Sequence, residues 1–322
     1  MDPATTNGML FVRDMTNVAH PETVCGLDVR SRVSVPRFLT ATTLTVPSSD
    51  GLYELDLSSG KSRLLAAWTI PPSMGCCPGL TDYDVATDAT SVAYVVVDSI
   101  PTTHPTSTTW VTTATFHIAS AGVDRVLCAM TMNRSISLGE ARVEFSPSGK
   151  FVALGLTGSA GVGSMAPVQV RALDGQLVFA SAGTAMLTWA GSGDHLFYDS
   201  GAGIRRWDGG QTSTEVLSET WRVPNASADR RYIAYDGKPL SSPLTSEHTA
   251  ILNVATGTST DIPGPSHGPV FLTPKLIFHY RTLADGGMDF WVYNMADGTD
   301  SPTSVFVVFS AWPRGGPDWG FG

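Results

Sequence analysis

Apolar and polar positions alternate along this chain in short runs. Six times an apolar run passes through a small-residue turn closed by glycine and into a second apolar run. The turns are Asp56–Gly60 (DLSSG), Ile118–Gly122 (IASAG), Ala172–Gly175 (ALDG), Trp207–Gly210 (WDGG), Val254–Gly257 (VATG) and Met295–Gly298 (MADG). Each predicts a tight β-hairpin, because glycine supplies the positive φ that such turns need. From Gly60 to Gly298 the mean period is roughly 48 residues, the length of one four-stranded blade in an all-β sequence. The pattern predicts an all-β fold, a six-bladed β-propeller of four-stranded blades, formed by residues 1–322 as a single domain.

A second repeated pattern sets the phase of the blades. Val143–Leu154 (VEFSPSGKFVAL) is an apolar strand, a polar turn with glycine, and another strand. It recurs as Leu187–Tyr198 and Val223–Tyr235, and more weakly as Tyr83–Tyr94 and Val270–Tyr280. The copy at Val143–Leu154 resembles the repeat of TolB-type, WD40-like propellers, in which Phe/Trp-Ser-Pro-Asp-Gly-Lys leads into an apolar strand; here Ser148 stands in place of the Asp. The resemblance covers most of residues 33–310 and implies a propeller. Propellers of that family serve many roles, so it implies little about activity.

With strands A to D counted from the axis outward, the blades are expected at approximately 33–75, 79–130, 140–182, 184–218, 220–264 and 268–310. Residues 1–32 hold two further strand-like runs, Met9–Arg13 and Thr23–Val29, which are expected to pair with the last blade and close the ring. A seventh blade made from both termini is the alternative. The tail, 311–322, is expected to be irregular.

Loop lengths are the main functional signal. A–B and C–D turns lie on one face of a propeller, and B–C and D–A connections on the other. The A–B and C–D turns are nearly all tight, whereas the expected B–C connections Ser99–Thr113, Thr157–Pro167, Gly237–Thr249 and Thr282–Met288 are long, as are the D–A connections Thr69–Gly79 and Thr131–Leu138. Insertions sorted onto one face of a rigid scaffold mark a binding surface. These loops carry His104, Trp110, Met74, Cys76, Cys77, Met165, His248 and Met288 among many Ser, Thr, Gly and Pro. Such neutral loops suit a protein partner, a glycan or an uncharged small molecule.

The axis is the second candidate. Aligning the copies on Ala93, Ala153, Phe197 and Ala234 places Asp84, Glu144, Thr188 and Asn225 at equivalent positions. Alternation adds Asp82 and Arg142 two residues earlier, with Arg37 and Arg222 on flanking blades. Converging carboxylates and arginines could bind an acidic or sugar-like ligand, or supply a general acid or base. The other interpretation is a salt-bridged plug that holds the channel shut.

Composition narrows the classes. The net charge of −9, with only four lysines widely spread, argues against a nucleic-acid partner. With 15% charged and 42% hydrophobic residues the chain can build a sizeable core. No apolar run approaches the roughly 20 residues of a membrane span, so no membrane insertion is expected. If Met1 is the native start the protein is cytoplasmic, since Met1–Thr5 lacks a leader's basic and apolar regions; if a leader has been removed it is exported. Cys25, Cys76, Cys77 and Cys128 lack zinc spacing, leaving free thiols or a bridge from Cys76 or Cys77 to Cys128. Neither metal nor cofactor is expected, and the protein is expected to be a monomer. The G-x-S-x-G stretch Gly264–Gly268 is crowded by Pro263, Pro265 and Pro269, which deny it the strand-to-helix turn of a nucleophile elbow.

Two functions remain. One is a binding propeller presenting its long-loop face. The other is a propeller enzyme (hydrolase, lyase or cyclase) with Asp84, Glu144 and Arg142 as candidate catalytic groups at the channel mouth on that face.

Overall fold

The computed structural model describes residues 9–14, 22–28, 37–40, 42–48, 50–68, 79–104, 107–132, 141–157, 167–241, 247–283 and 287–303, and of 9–14, 22–28, 99–104 and 107–110 the backbone alone. The described elements are all strands. They form six four-stranded antiparallel sheets, each with its strands in chain order, and one separate two-stranded sheet.

Strands A to D of blade 1 are Arg37–Phe38, Thr43–Pro47, Gly51–Asp56 and Ser62–Ala67; those of blade 2 are Gly79–Val85, Ser91–His104, Ser107–Ser120 and Val123–Met132. Blade 3 is built from Ala141–Phe145, Phe151–Leu156, Val168–Ala172 and Leu177–Ser181, and blade 4 from Leu187–Ala190, His195–Asp199, Ile204–Trp207 and Thr214–Leu217. Blade 5 comprises Glu219–Ala226, Tyr232–Pro239, His248–Asn253 and Thr258–Asp261, and blade 6 Ser266–Phe271, Leu276–Thr282, Met288–Asn294 and Thr299–Thr303.

All six glycine-closed turns are the C–D turns of their blades. Their closing glycines have φ from 67° at Gly60 to 93° at Gly175, the left-handed region that only glycine enters without strain.

The core is divided into layers between successive blades. Phe116, Val95 and Val97 of blade 2 meet Val143, Phe145 and Leu154 of blade 3, and Val168 and Phe179 meet Trp189, Tyr198 and Trp207 across the next junction. Inner strands are covered on both faces, so Phe151–Leu156 is almost wholly buried instead of alternating, while the outermost strand Thr258–Asp261 is exposed throughout. Trp189, Trp207 and Trp221 are fully buried. Each removes on the order of 200 Å² from water, worth about 5 kcal/mol before conformational entropy is subtracted.

Two expectations meet a different structure. The stretch expected as the loop 99–113 is mostly β-hairpin: strands B and C of blade 2 stay in register from Ser91↔Ser120 to His104↔Ser107. Its threonines, Thr102, Thr103, Thr108, Thr109, Thr112 and Thr113, look loop-like by polarity, but β-branched residues favour extended backbone. The other difference lies at the N-terminus. Met9–Asp14 and Glu22–Asp28 pair with each other as a sheet of their own, and no described ladder joins them to blade 6. The tail beyond residue 303 and most of the connections 69–79, 133–140, 158–166 and 242–246 lie outside the described residues.

Candidate functional site

The axial residues occupy the register that the repeat predicts. Asp84 pairs with Ala93, Glu144 with Ala153, Thr188 with Phe197 and Asn225 with Ala234. Strand A is the edge of each sheet, so alternate N–H groups on it have no partner inside the blade. The preceding blade supplies one. Val143 donates its N–H to Asp82 Oδ2 at 2.9 Å, and Phe145 donates to Asp84 Oδ2 at 2.7 Å. Phe271 donates in the same way to Asn225 Oδ1 at 2.9 Å.

Other stitches join blades 1 and 2, 3 and 4, and 4 and 5. Arg37 pairs with Asp82 and also donates to the Tyr83 carbonyl. Thr188 Oγ1 donates to Glu144 Oε1 at 3.5 Å, Trp189 Nε1 donates to the Glu144 carbonyl at 3.0 Å, and Trp221 Nε1 donates to the Met186 carbonyl at 2.9 Å. Asp82 and Asp84 thus hold blade 2 to blade 3 through backbone hydrogen bonds. Arg142 is buried at 1% exposure on the strand that receives them. Arg222 behaves differently: its side chain is largely exposed and forms its ion pair with Glu247 at 3.6 Å.

The face carrying the B–C connections takes its shape from blade 2. Strand A pairs with strand B only as far as Gly79↔Val97, and strand D with strand C only as far as Met132↔Thr112. Beyond those limits Ile100–His104 and Ser107–Val111 pair with one another alone among the described strands. They form a two-stranded ribbon whose arms of five residues extend roughly 16 Å past the sheet. His104 and Trp110 lie on this ribbon's backbone. Met74, Cys76, Cys77 and Met165 lie outside the described residues, and Cys128 is a free, half-buried thiol.

His248 opens strand C of blade 5 and belongs to a network that sequence reasoning missed. Its Nε2 lies 2.8 Å from Glu219 Oε2 and its Nδ1 lies 2.7 Å from Asp261 Oδ1. Tyr235 donates its hydroxyl to Glu219 Oε1 at 2.5 Å and lies 2.7 Å from Ser259 Oγ. The network ties all four strands of the blade together at the end that faces the B–C connections. Burial of the imidazole works against its protonation, but hydrogen bonds and charge from Glu219 and Asp261 outweigh this and raise the His248 pKa above its ordinary value. One signal was present in the sequence. Gly237 interrupts a strand pattern, which marks a close approach. It pairs directly with His248, and a Cβ there would lie 2.4 Å from His248 Nε2.

Among the described residues no group of three or more His, Cys, Asp or Glu side chains is placed to hold a metal ion. No described helix is long and apolar enough to cross a membrane. Ser266 of the G-x-S-x-G stretch begins strand A of blade 6 and donates to the Pro263 carbonyl at 3.0 Å, as a blade connection and not an elbow.

No family profile and no curated protein matches the chain. Solved structures do. The tricorn protease aligns with a TM-score of 0.55 at 11% identity over 92% of this chain and 32% of that one. A puromycin-hydrolyzing peptidase of Mycobacterium tuberculosis aligns at 0.53 and 14% identity, over 92% and 50%. TolB from Acinetobacter baumannii aligns at 0.49 and 14% identity, over 94% and 62%. The chain spans less than two thirds of each of these proteins. At such identities the likeness is one of fold, and with six four-stranded antiparallel sheets that fold is a six-bladed β-propeller.

Proposed function

We propose that this protein is a binding propeller that presents its B–C face to a protein partner, with the blade 2 ribbon as the leading element. The ribbon carries the proposal. Its two strands, Ile100–His104 and Ser107–Val111, pair only with each other among the described strands, so each offers an outer edge of backbone donors and acceptors. Such an edge is a template for an added extended segment of another protein. Polar backbone raised off a rigid scaffold suits recognition better than chemistry. The axial arrangement supports the same choice: Asp82 and Asp84 spend hydrogen-bonding capacity on the N–H groups of Val143 and Phe145, as expected of residues that join blades.

The test is to replace residues 99–112 with an Asn-Gly turn, keeping the Asp98↔Thr113 pair as the hairpin's last rung. Proteins retained from the source cells would be quantified for wild type, the trimmed variant and a control altered at Ser148 on the opposite face. A partner held saturably by wild type and control, and lost from the folded trimmed variant, is the expected result. Equal retention by all three would refute the proposal.

A further inference from the structure

A cleft of about 610 Å³ opens between blades 1 and 2 at the base of the ribbon, within the size range of small-ligand sites. Its floor is one face of blade 2, laid out as three cross-strand pairs: Tyr94↔His117, Val96↔Thr115 and Asp98↔Thr113. Trp68 of blade 1 forms the wall, with its ring centroid 5.1 Å from that of Tyr94, which in turn stacks on His117 at 4.7 Å. Among the described residues the lining contains two carboxylates and neither lysine nor arginine.

The carboxylates stand at opposite ends. Asp98 is paired with Thr113, whereas Asp124 Oδ2 takes a hydrogen bond from His117 Nδ1 at 3.0 Å. Thr113 and His117 are four residues apart on one strand, roughly 13 Å at the extended rise. Asp124 also accepts a hydrogen bond from the Tyr94 hydroxyl, and a carboxylate's remaining lone pairs can accept a further donor. Between the two acids run the apolar surfaces of Val96 and the aromatic stack, flanked by the hydroxyls of Thr113 and Thr115.

We propose that this cleft binds a linear aliphatic diamine, one ammonium group at each carboxylate and the methylene chain along Val96 and Trp68. A single small cation would meet one acid and leave the apolar middle unused. A sugar would leave two carboxylates facing its hydroxyls with no cation between them. A zigzag chain of about nine single bonds, each roughly 1.5 Å, spans the gap once a hydrogen bond is added at each end. Charge-assisted hydrogen bonds at both ends would then fix its position. The proposal is independent of the protein-partner reading and survives or fails without it.

The probe is 1,8-diaminooctane, titrated calorimetrically into the whole protein at low ionic strength, with n-butylamine as a one-charge comparator. Saturable one-site binding is expected, at least ten-fold tighter than n-butylamine. Asp98→Asn and Asp124→Asn should each weaken it at least ten-fold, while Asp297→Asn, on the C–D turn of blade 6, should leave it unchanged. Both cleft substitutions replace partly exposed side chains, and their melting temperatures establish that they fold. No saturable heat, equal binding of the two amines, or equal loss in the Asp297 variant would each overturn the proposal; the last would mean diffuse attraction to an acidic protein.

Discussion

Glu219 and His248 begin different strands of blade 5, with strand B lying between them, yet Glu219 Oε2 and His248 Nε2 are 2.8 Å apart. The imidazole reaches the carboxylate because the residue beneath it is Gly237, whose missing side chain leaves the space the ring occupies. Burial of Glu219, at 7% exposure, is tolerated because His248 and Tyr235 both hydrogen-bond to it.

Replacing Gly237 with alanine should therefore disrupt this network. The new Cβ would lie 2.4 Å from His248 Nε2 and 2.8 Å from Tyr235 Cε2, so the ring must leave Glu219. A loss of about 1–3 kcal/mol is expected from overpacking and the stranded carboxylate, measured by chemical denaturation. Unchanged stability would show that the ring moves freely without consequence.

The same network makes stability depend on pH in a definite direction. The folded pKa of His248 lies above its ordinary value of 6.5. Its contribution is thus fully present below the unfolded pKa and fades as pH rises through the folded one. Between about pH 6 and pH 8 wild type should lose stability more steeply than His248→Gln. Parallel curves for the two proteins would contradict the assignment.

At the axis, Asp84→Ala removes the acceptor for the Phe145 N–H and should cost about 1–3 kcal/mol. Asp84→Asn should cost less, because Asn225 performs the same task with an amide oxygen at the equivalent register between blades 5 and 6. Denaturation midpoints of the two variants decide the point. Equal losses would mean that the carboxylate's charge, and not its hydrogen bond, matters there.

Hydrogen exchange should distinguish the ribbon from the blade that carries it. Amides of Ile100–His104 and Ser107–Val111, paired on one side only, should exchange faster than those of Val92–Val97, which lie inside a four-stranded sheet. Comparable protection in both would mean that the ribbon is covered by another part of the chain.

The sequence alone determined the fold and its phase, because both rest on local chemistry. A hairpin turn is decided by the glycine that closes it, and the six left-handed glycines stand where the repeat requires them. Alignment of the repeat copies then placed Asp84, Glu144, Thr188 and Asn225 in equivalent registers, since the ladder admits few alternatives once the turns are set. Only the tertiary structure decided what those side chains touch. Asp82 bonds a backbone group 61 residues away, on a neighbour that no local pattern specifies. The ribbon was hidden because threonine-rich strands and threonine-rich loops share a composition, and cross-strand pairing alone separates them. The His248–Glu219 contact and the cleft beside Trp68 were equally out of reach. The first spans three strands and depends on the side chain that Gly237 lacks, and the second exists only where two blades pack side by side.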